Sequence, residues 1–437
     1  MAQQPNRREN IPHLPTEEQY LNCIRCGLCL SACPIYRETL RETDGPRAHV
    51  VLTRKYADGE LEMSPLLVDL MYKCLDCEAC NAICPVGIRP ADLALEMRQV
   101  IHKVRPQPWV KKPVFHGYFP RPQLHELSML PLVLYQRLGL QTLARKLGIL
   151  KVLPKQLQDL EHMLPRLPVR ALRQVLPEVT PAIGEEKHNV AFYLGCFQST
   201  IFAEESQSTV SVMARNGCRV TTPKDAKCCG MPLAGYGEID LLREMARFNI
   251  DLFLPVDADV IVTDCATCGS TLKRYAEILA DDPEYAEKAK AFSAKVRDVS
   301  EFLMSIDIRP PRGKLNARVT YHDPCHLVRA QKVRKQPRDL LKMIPGVEFV
   351  EAKESDWCCG SAGTQLITHY HNSLAVNKRK MDNIRNTGAD IVATGCPGCQ
   401  MQLNMGSNHY GVNVRVVHPI QLLEEAYRRE EEMESAD

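Results

Sequence analysis

The 437-residue sequence lacks the features that define several large classes of protein. Its net charge is only +2, so composition gives no reason to expect a nucleic-acid partner. No stretch of about eighteen apolar residues is free of charged residues, so no transmembrane helix is expected. The N-terminal MAQQPNRRENIPHLP lacks the apolar core of a signal peptide. No G-x-G-x-x-G follows a predicted strand, so hydride chemistry on a bound nucleotide or flavin is not expected on this chain.

Cysteine is the residue in excess, with nineteen in the chain. A secreted disulfide framework is disfavoured, because no export signal is visible and a chain of this size does not need cross-links. Structural zinc would explain a pair of C-x-x-C motifs, but not the longer runs or the adjacent cysteines found here. Iron and sulfide in a reducing compartment account for all but Cys218, which we expect to be a small buried hydrophobe. The composition therefore predicts a cytoplasmic iron–sulfur protein.

Two N-terminal runs, CIRCGLCLSACPIY and CLDCEACNAICPVG, share the pattern C-x-x-C-x-x-C-x-x-x-C-P. Three thiolates at intervals of three residues can bind one 4Fe–4S cluster, while the fourth, before proline, is directed to the other cluster. Two helices are predicted between the runs. We assign one cluster to Cys23, Cys26, Cys29 and Cys84, and the second to Cys74, Cys77, Cys80 and Cys33.

Two further groups of cysteines repeat each other about 130 residues apart. Each contains a single cysteine, then an adjacent pair before glycine, then a C-x-x-C, and we expect each group to converge on iron. His322 and His326 flank Cys325 and are candidate catalytic residues that could donate hydrogen bonds to cluster sulfur or relay protons; an ordinary turn histidine is the alternative for each. The first five-cysteine set is Cys196, Cys228, Cys229, Cys265 and Cys268, and the second is Cys325, Cys358, Cys359, Cys396 and Cys399.

Apolar runs that end at cysteines alternate with helical stretches from residue 187 onward. This order predicts parallel βαβ units whose cysteines gather beyond the carboxyl ends of the strands. The predicted fold is multidomain α+α/β. It comprises a helical ferredoxin-type domain with two 4Fe–4S clusters at 1–105, a proline-rich basic helical connector at 106–186, a first cysteine-rich α/β unit at 187–312 and a second at 313–437.

The connector contains a basic amphipathic pattern, LSMLPLVLYQRLGLQTLARKLGILKVL, which predicts a helix pair broken near Pro131 and Pro154. Three roles are open for it. It could be a solvated connector between the cluster domains, a docking face for a partner subunit, or an interfacial contact with the inner face of a membrane.

Together, the paired cysteine runs, the DGPR of residues 44–47 and the two Cys-Cys-Gly units resemble the iron–sulfur subunit of glycolate oxidase. HDPCHLVRAQKVRKQPRDLL followed by CCGSAGT is especially similar to that branch. The wider group includes heterodisulfide reductase subunits and the iron–sulfur subunit of anaerobic glycerol-3-phosphate dehydrogenase. The resemblance implies an electron-transfer subunit of a glycolate- or lactate-type dehydrogenase. Such a subunit takes electrons from a flavoprotein that oxidises a 2-hydroxy acid and passes them to quinone or another carrier.

One departure from that branch supports a second hypothesis. Glycolate oxidase subunits often lack a cysteine in the first set, whereas both sets are complete here. Two complete sets resemble the heterodisulfide reductase catalytic subunit, in which each set holds a noncubane 4Fe–4S cluster that can work on disulfides. The resemblance thus implies one or two clusters beyond the N-terminal two, and leaves reduction of a disulfide at the second set as the alternative function.

Overall fold

The computed structural model describes residues 14–106, 108–109 and 112–435. These residues form two compact units. The first unit contains the described residues up to His116 together with the segments Gly230–Leu242 and Gly360–Val376. The second unit contains Gly117–Cys229, Arg243–Cys359 and the described residues from Asn377 onward. The domain boundaries expected from the sequence stay a prediction.

The described residues up to Val175 are helical wherever they are regular. A 3-10 turn covers Glu42–Asp44, another covers Ile149–Val152, and a π-helical segment covers Pro113–Tyr118. The helices are α1 (Glu18–Leu21), α2 (Leu28–Ala32), α3 (Pro34–Thr39), α4 (Pro46–Ala57), α5 (Pro65–Lys73), α6 (Ala79–Ile83), α7 (Pro90–Val104), α8 (Pro122–Arg137), α9 (Leu140–Lys146), α10 (Lys155–His162) and α11 (Leu172–Val175).

Helices α4 and α5 are the two helices predicted between the cysteine runs, which confirms that prediction. Each begins with proline, whose missing N–H would have no helical partner at that position, and Ser64 caps α5 by accepting a hydrogen bond from the Leu67 N–H at 3.2 Å. Their apolar faces pack with α7 through Tyr56, Met71 and Met97, which are almost fully buried. This small core supports the cysteine runs on either side of it in sequence.

The predicted break near Pro131 is wrong, because α8 continues through that residue to Arg137. Proline lacks the N–H that would bond the carbonyl of Leu127, but both residues lie on the exposed face, where water can solvate that carbonyl. The chain instead turns at Gly139, whose φ of 71° is the left-handed conformation that glycine adopts easily. Pro154, the second predicted break, directly precedes α10.

The remaining helices alternate with strands, as the sequence predicts. The strands are β1 (Val179–Thr180), β2 (His188–Phe192), β3 (Cys218–Thr221), β4 (Val260–Thr263), β5 (Val296–Asp298), β6 (Ala317–Tyr321), β7 (Val347–Phe349), β8 (Ile391–Ala393) and β9 (Arg415–Val417). The helices are α12 (Cys196–Thr200), α13 (Ala203–Arg215), α14 (Met231–Tyr236), α15 (Ile239–Phe253), α16 (Ala266–Lys273), α17 (Tyr275–Ile278), α18 (Ala286–Lys295), α19 (Val299–Leu303), α20 (Gln336–Met343), α21 (Gln365–Thr368), α22 (Tyr370–Arg385), α23 (Pro397–Tyr410) and α24 (Pro419–Glu434).

Two sheets of the second unit repeat one topology. Their strand orders are β1-β3-β2-β4-β5 and β7-β6-β8-β9, so β3, β2, β4 and β5 correspond to β7, β6, β8 and β9. All these pairings are parallel, whereas the additional edge strand β1 runs antiparallel to β3. Strands β4 and β8, which lead into the two C-x-x-C motifs, are fully buried, since helices cover both faces of a parallel sheet.

The two sheets share one hydrophobic core, to which Phe192 and Val319 both belong. Helices α13 and α24 join the repeats: the Asn216 amide just after α13 donates to the Tyr427 hydroxyl at 3.3 Å, and Arg215 lies 3.4 Å from Glu424. Cys218 is completely buried in β3, which confirms the prediction that it is a core residue. The repeats therefore form one packed body around the cysteine sets.

Candidate metal centres

The eight N-terminal cysteines line two cavities of the first unit. The first cavity is bordered by Cys23, Cys26, Cys29 and Cys84, and the second by Cys33, Cys74, Cys77 and Cys80. The fourth cysteine of each run therefore lies with the three leading cysteines of the other run. These two groups are the same as the two ligand sets that the sequence predicts.

The backbone of both runs turns in the same way between its cysteines. Arg25 and Gly27 in the first run, and Asp76 and Glu78 in the second, all have a positive φ between 49° and 80°. Two left-handed residues in alternation with cysteines bend the chain around a centre, so that successive side chains can point inward. Three of these four residues are not glycine, which marks both loops as strained segments at a functional site.

Burial makes three of the four thiols that line the second cavity poor acids. It is the main cause that raises the pKa of Cys74 to about 12, and it also raises the pKa values of Cys33 and Cys80 well above the ordinary value. Neutral thiols in a buried site form thiolates readily when a cation supplies the compensating charge. Four cysteines around each cavity match the donor set of a 4Fe–4S cluster, so the residues fit the group that the sequence implies.

The first five-cysteine set gathers where three adjoining strands end. Cys196 begins α12 after β2, Cys228 and Cys229 follow β3, and Cys265 caps α16 after β4. The Cys196 and Cys228 sulfurs are 4.0 Å apart, and the Cys265 sulfur accepts a hydrogen bond from the Cys268 N–H at 3.3 Å. The prediction that the cysteines lie beyond the carboxyl ends of parallel strands is confirmed here.

The second set follows β6, β7 and β8 in the same manner. The Cys359 and Cys399 sulfurs are 3.4 Å apart, and both residues are buried. Cys396 occupies the N-cap position of α23, as Cys265 does in α16, but only the Cys265 sulfur accepts a capping hydrogen bond. Cys325 is only partly buried. A compact group of reduced sulfurs with this geometry suits soft transition-metal ions such as iron.

His322 belongs to the second set in space as well as in sequence. One of its ring nitrogens and the sulfurs of Cys359 and Cys399 all lie within 4.8 Å of one another. The ring is buried, and neither nitrogen has a hydrogen-bond partner among the described residues. Burial lowers the pKa of His322 to about 3, so the imidazole is neutral and keeps one N–H donor. A buried polar group without a partner is consistent with a ligand that fills the remaining space.

His326, the other candidate catalytic residue, is also largely buried and begins a π-helical segment, His326–Ala330. Its main-chain carbonyl accepts a hydrogen bond from the Gln331 amide at 3.2 Å. π-Helical segments are frequent at functional sites, but this contact uses the backbone and leaves the role of the imidazole a prediction.

The two five-cysteine sets adjoin each other, which the sequence does not reveal. The Thr267 hydroxyl, between the cysteines of the first C-x-x-C, lies 3.3 Å from the Cys396 sulfur of the second. The neighbouring Ala266 N–H donates to the Gly395 carbonyl at 2.9 Å. Contact with the Cys265 thiol is the largest influence that lowers the pKa of Cys396. The two C-x-x-C motifs are therefore in direct contact.

Sequence reasoning also missed His125, a buried histidine of the connector. His125 lies on α8 and interacts with the Cys196 thiol of the first set. Contacts with Cys228 and then with His125 lower the pKa of Cys196 to about 6, against the opposing effect of burial. His125 precedes Cys196 by some seventy residues and belongs to no motif, so no signal in the sequence could have found it.

Comparisons with known proteins match three kinds of segment in this chain. Residues 19–88 match the family described as a 4Fe-4S dicluster domain, and residues 190–273 and 319–404 each match a cysteine-rich domain. Residues 106–164 match the linker region of the glycolate oxidase iron-sulfur subunit. None of the helices in the described ranges is long and apolar enough to cross a membrane.

Three relatives cover most of this chain. A probable glycolate oxidase iron-sulfur subunit of Bacillus subtilis is 36% identical over 94% of each chain. The glycolate oxidase iron-sulfur subunit of Escherichia coli is 27% identical over 97% of this chain and 98% of its own. One of the subunits of fumarate reductase (CoM/CoB) from Methanothermobacter marburgensis is 27% identical over 93% of this chain and 72% of its own.

The fold and the sites define an iron–sulfur protein that combines a dicluster domain with two cysteine-rich domains. The 36% identity along nearly the whole length and the matching linker region identify the family within this class. The chain belongs to the family of glycolate oxidase iron–sulfur subunits.

Proposed function

We propose that the chain is the electron-transfer subunit of a flavin-dependent 2-hydroxy-acid dehydrogenase of the glycolate or lactate type. Its partner would be a flavoprotein that oxidises the hydroxy acid, and its acceptor would be quinone or another carrier. The observation that carries this proposal is the gathering of the eight N-terminal cysteines around two cavities, four to each, in a member of this family. The chain is thus an oxidoreductase subunit, with hydride chemistry on its partner.

The eight N-terminal cysteines would hold two 4Fe–4S clusters, and each five-cysteine set would hold one further cluster, noncubane in form. When bound, iron–sulfur clusters accept and release single electrons. The cysteines supply the thiolates, and the buried surroundings exclude water from them. The neutral His322 imidazole would donate its one N–H as a hydrogen bond to sulfur at the second set.

A flavoprotein partner follows from electron counting. Oxidation of an alcohol to a carbonyl removes two electrons, usually as a hydride taken by flavin or nicotinamide, whereas the cysteine sites suit single electrons. The test is anaerobic mixing of the cluster-loaded chain with glycolate or lactate, with and without the flavoprotein subunit. We expect the visible absorbance of the clusters to bleach only when the flavoprotein is present.

One variant serves as the control for that experiment. A chain in which Cys77 and Cys80 are both replaced by serine should accept fewer electrons from the same flavoprotein, because one proposed cluster is lost. Bleaching by hydroxy acid without the flavoprotein would contradict the proposal, and so would full loading of all sites with no bleaching when both subunits and substrate are present.

Disulfide reduction at the second set is the alternative, and the adjoining complete sets favour it. The reaction consumes two electrons and two protons and releases two thiols, so two neighbouring sites could supply one electron each. The purified chain would be given reduced methyl viologen and an organic disulfide. Release of two thiols per disulfide, abolished by replacement of Cys359 with serine, would select this function, whereas absence of turnover by a fully loaded chain would select the electron relay.

We place the chain in the cytoplasm, in peripheral contact with the inner membrane face through its linker. The linker helices expose an unusual number of large apolar side chains between cationic ones, and this combination fits a lipid surface that carries negative charge. The exposed apolar residues are Leu127, Leu130, Leu134, Leu138, Leu140, Leu143, Leu147, Ile149, Val152, Leu153 and Leu157, and the exposed cations are Arg137, Arg145, Lys146, Lys151 and Lys155.

Cosedimentation with vesicles containing phosphatidylserine tests this location. Replacement of Leu134 and Leu138 by glutamate should abolish binding, because it removes apolar contact area and adds repulsive charge. Met433→Glu, at an equally exposed apolar residue of α24, is the matched control and should bind as the native chain does. Equal binding of all three proteins, or no binding by the native chain, would contradict the proposed contact.

A further inference from the structure

His125 is an unusual residue on α8. That helix buries only His125 and Val133, and the rest of it is exposed or partly exposed. The residue itself is only 5% exposed. Histidine can be buried without a special role when both ring nitrogens are paired, so the partners of this ring decide how it should be interpreted.

The ring is fixed in place by its neighbours. It stacks on Tyr118 with centroids 4.1 Å apart and planes 24° apart, and Phe119 meets it edge-on at 5.8 Å. The Ser128 hydroxyl donates to the His125 carbonyl at 2.8 Å and lies 3.1 Å from the Tyr118 hydroxyl. Nevertheless the buried Nε2 has no hydrogen-bond partner among the described residues. Burying a polar nitrogen without a partner destabilises the fold, so such a position is rarely retained without a ligand to pair with.

The imidazole is directed toward the first five-cysteine set. Its side chain contacts the Cys196 thiol, and the Cys196 sulfur is 4.0 Å from that of Cys228. The Arg173 guanidinium is also close enough to interact with Cys196. Donors that surround a sulfur site in this way orient its ligands and set its electronic properties.

The second set offers a counterpart. There the buried His322 lies beside Cys359 and Cys399 with both ring nitrogens unpaired. The corresponding residue of the first repeat is Tyr193, whose hydroxyl is already used, since it donates to the Lys227 carbonyl at 2.6 Å. The first set thus lacks a histidine from its own strand, and α8 of the linker provides one instead.

We propose that His125 is a positioning residue for the iron–sulfur group at the first five-cysteine set and donates a hydrogen bond from Nε2 to one of its sulfurs. This inference rests on the proposed cluster at that set. A hydrogen bond to sulfur stabilises the reduced, more negative form and therefore raises the reduction potential. The linker would then tune one redox centre in addition to joining the domains.

The test compares His125→Leu, which removes the donor, with His125→Gln, which keeps an N–H at a similar distance. Anaerobic redox titration followed by electron paramagnetic resonance measures each cluster separately. In His125→Leu we expect one signal to show about a tenfold lower ratio of reduced to oxidised cluster at a fixed potential, equivalent to about 59 mV for one electron. His125→Gln should recover most of the shift. His162→Leu, at a half-exposed linker histidine bonded to the Gln158 carbonyl, is the control and should change no signal.

Two results from the His125 variants would overturn the inference. One is unchanged potentials in His125→Leu at full iron content, and the other is equal loss of iron from the leucine and glutamine variants, as expected of a packing residue. Iron and sulfide analysis of the native chain tests the underlying cluster separately. About sixteen irons per chain would mean that all four sites are loaded, whereas a smaller count with no signal from the first set would overturn the cluster assignment and this inference with it.

Discussion

Single residues decide which cysteines meet in the first unit. Cys33 and Cys84 each stand before a proline, and each lines the cavity of the other run. Cys33 also caps α3, since its sulfur accepts the Tyr36 N–H at 3.5 Å. Cys33 and Cys84 each follow a short helix, at a point where the chain changes direction. Their side chains can therefore reach a different cavity from the other cysteines of the same run.

Cys84→Ser should therefore impair the cluster of the first run, although Cys84 belongs to the second run in sequence. We expect loss or conversion of one cluster, about four irons per chain, and a changed resonance signal from the site of Cys23, Cys26 and Cys29. Cys80→Ser is the matched control and should alter the other signal. Identical spectra for the two variants would contradict the crossed arrangement.

Asp298 gives a prediction about pH. It caps α19 by accepting the Ser300 N–H at 2.8 Å, and burial raises its pKa from 3.8 to about 7. Because the folded-state pKa is raised, the protonated carboxyl stabilises the fold fully below about pH 4, and this stabilisation is lost as the pH rises through about 7. Asp298→Asn keeps a capping acceptor and cannot ionise. Between pH 6 and pH 8 the unfolding free energy of this variant should therefore decrease by about 1 kcal/mol less than that of the native chain.

Apparent melting temperatures at pH 6 and pH 8 measure this effect. The native chain should lose more stability over that interval than Asp298→Asn does. Asp257→Asn, at an exposed aspartate, should reproduce the native pH profile. If Asp298→Asn also reproduced it, the carboxyl of Asp298 would not be the group that titrates.

At the scale of elements, main-chain atoms as well as side chains make the contacts between α14 and α7. The buried Arg98 donates to the carbonyls of Met71 at 2.8 Å, Cys74 at 2.7 Å and Gly235 at 3.1 Å. One guanidinium thus connects α5, a cysteine of the second cavity and α14 within the first unit. A β-carbon on Gly237 would lie 2.2 Å from the Arg98 carbonyl, so the chain can approach this closely only where the side chain is absent.

Gly237→Ala should therefore destabilise the first unit. The residue has a φ of 80°, which alone costs an L-residue about 1–2 kcal/mol, and the clash with backbone atoms adds to this. We expect the apparent melting temperature to fall by several degrees. Gly235→Ala, two residues earlier and with nothing within 4 Å of its added carbon, is the control and should be neutral. Equal melting temperatures would show that α14 does not need this close approach.

At the scale of the whole molecule, the two repeats act as one body in the second unit. Their sheets share a core, and their C-x-x-C motifs meet through Thr267 and Cys396. Clusters bound at both sets would be close enough for their unpaired electrons to interact. We expect broadened, split resonance signals when both are reduced. Replacement of Cys228 and Cys229 by serine should leave the signal of the second set sharp and isolated, and an unchanged signal would contradict the close approach.

The sequence by itself determined the features that depend on the local spacing of residues. Cysteines three residues apart can reach one centre whatever the rest of the chain does, so the motifs predicted the sets that line each cavity. Apolar runs that end at cysteines predicted the parallel strands and the edge where the cysteines gather, since strand period and length are local properties. The correspondence between the two repeats was predicted from the spacing of their cysteines.

Only the tertiary structure decided which distant residues meet. His125 reaches Cys196 from α8, and Thr267 reaches Cys396 from the other repeat, because packing of whole helices and sheets brings them together. Pro131 remains inside α8 because its environment is exposed, which its identity alone does not reveal. Contacts between residues far apart in the chain depend on many packing interactions together, so no short sequence motif predicts them.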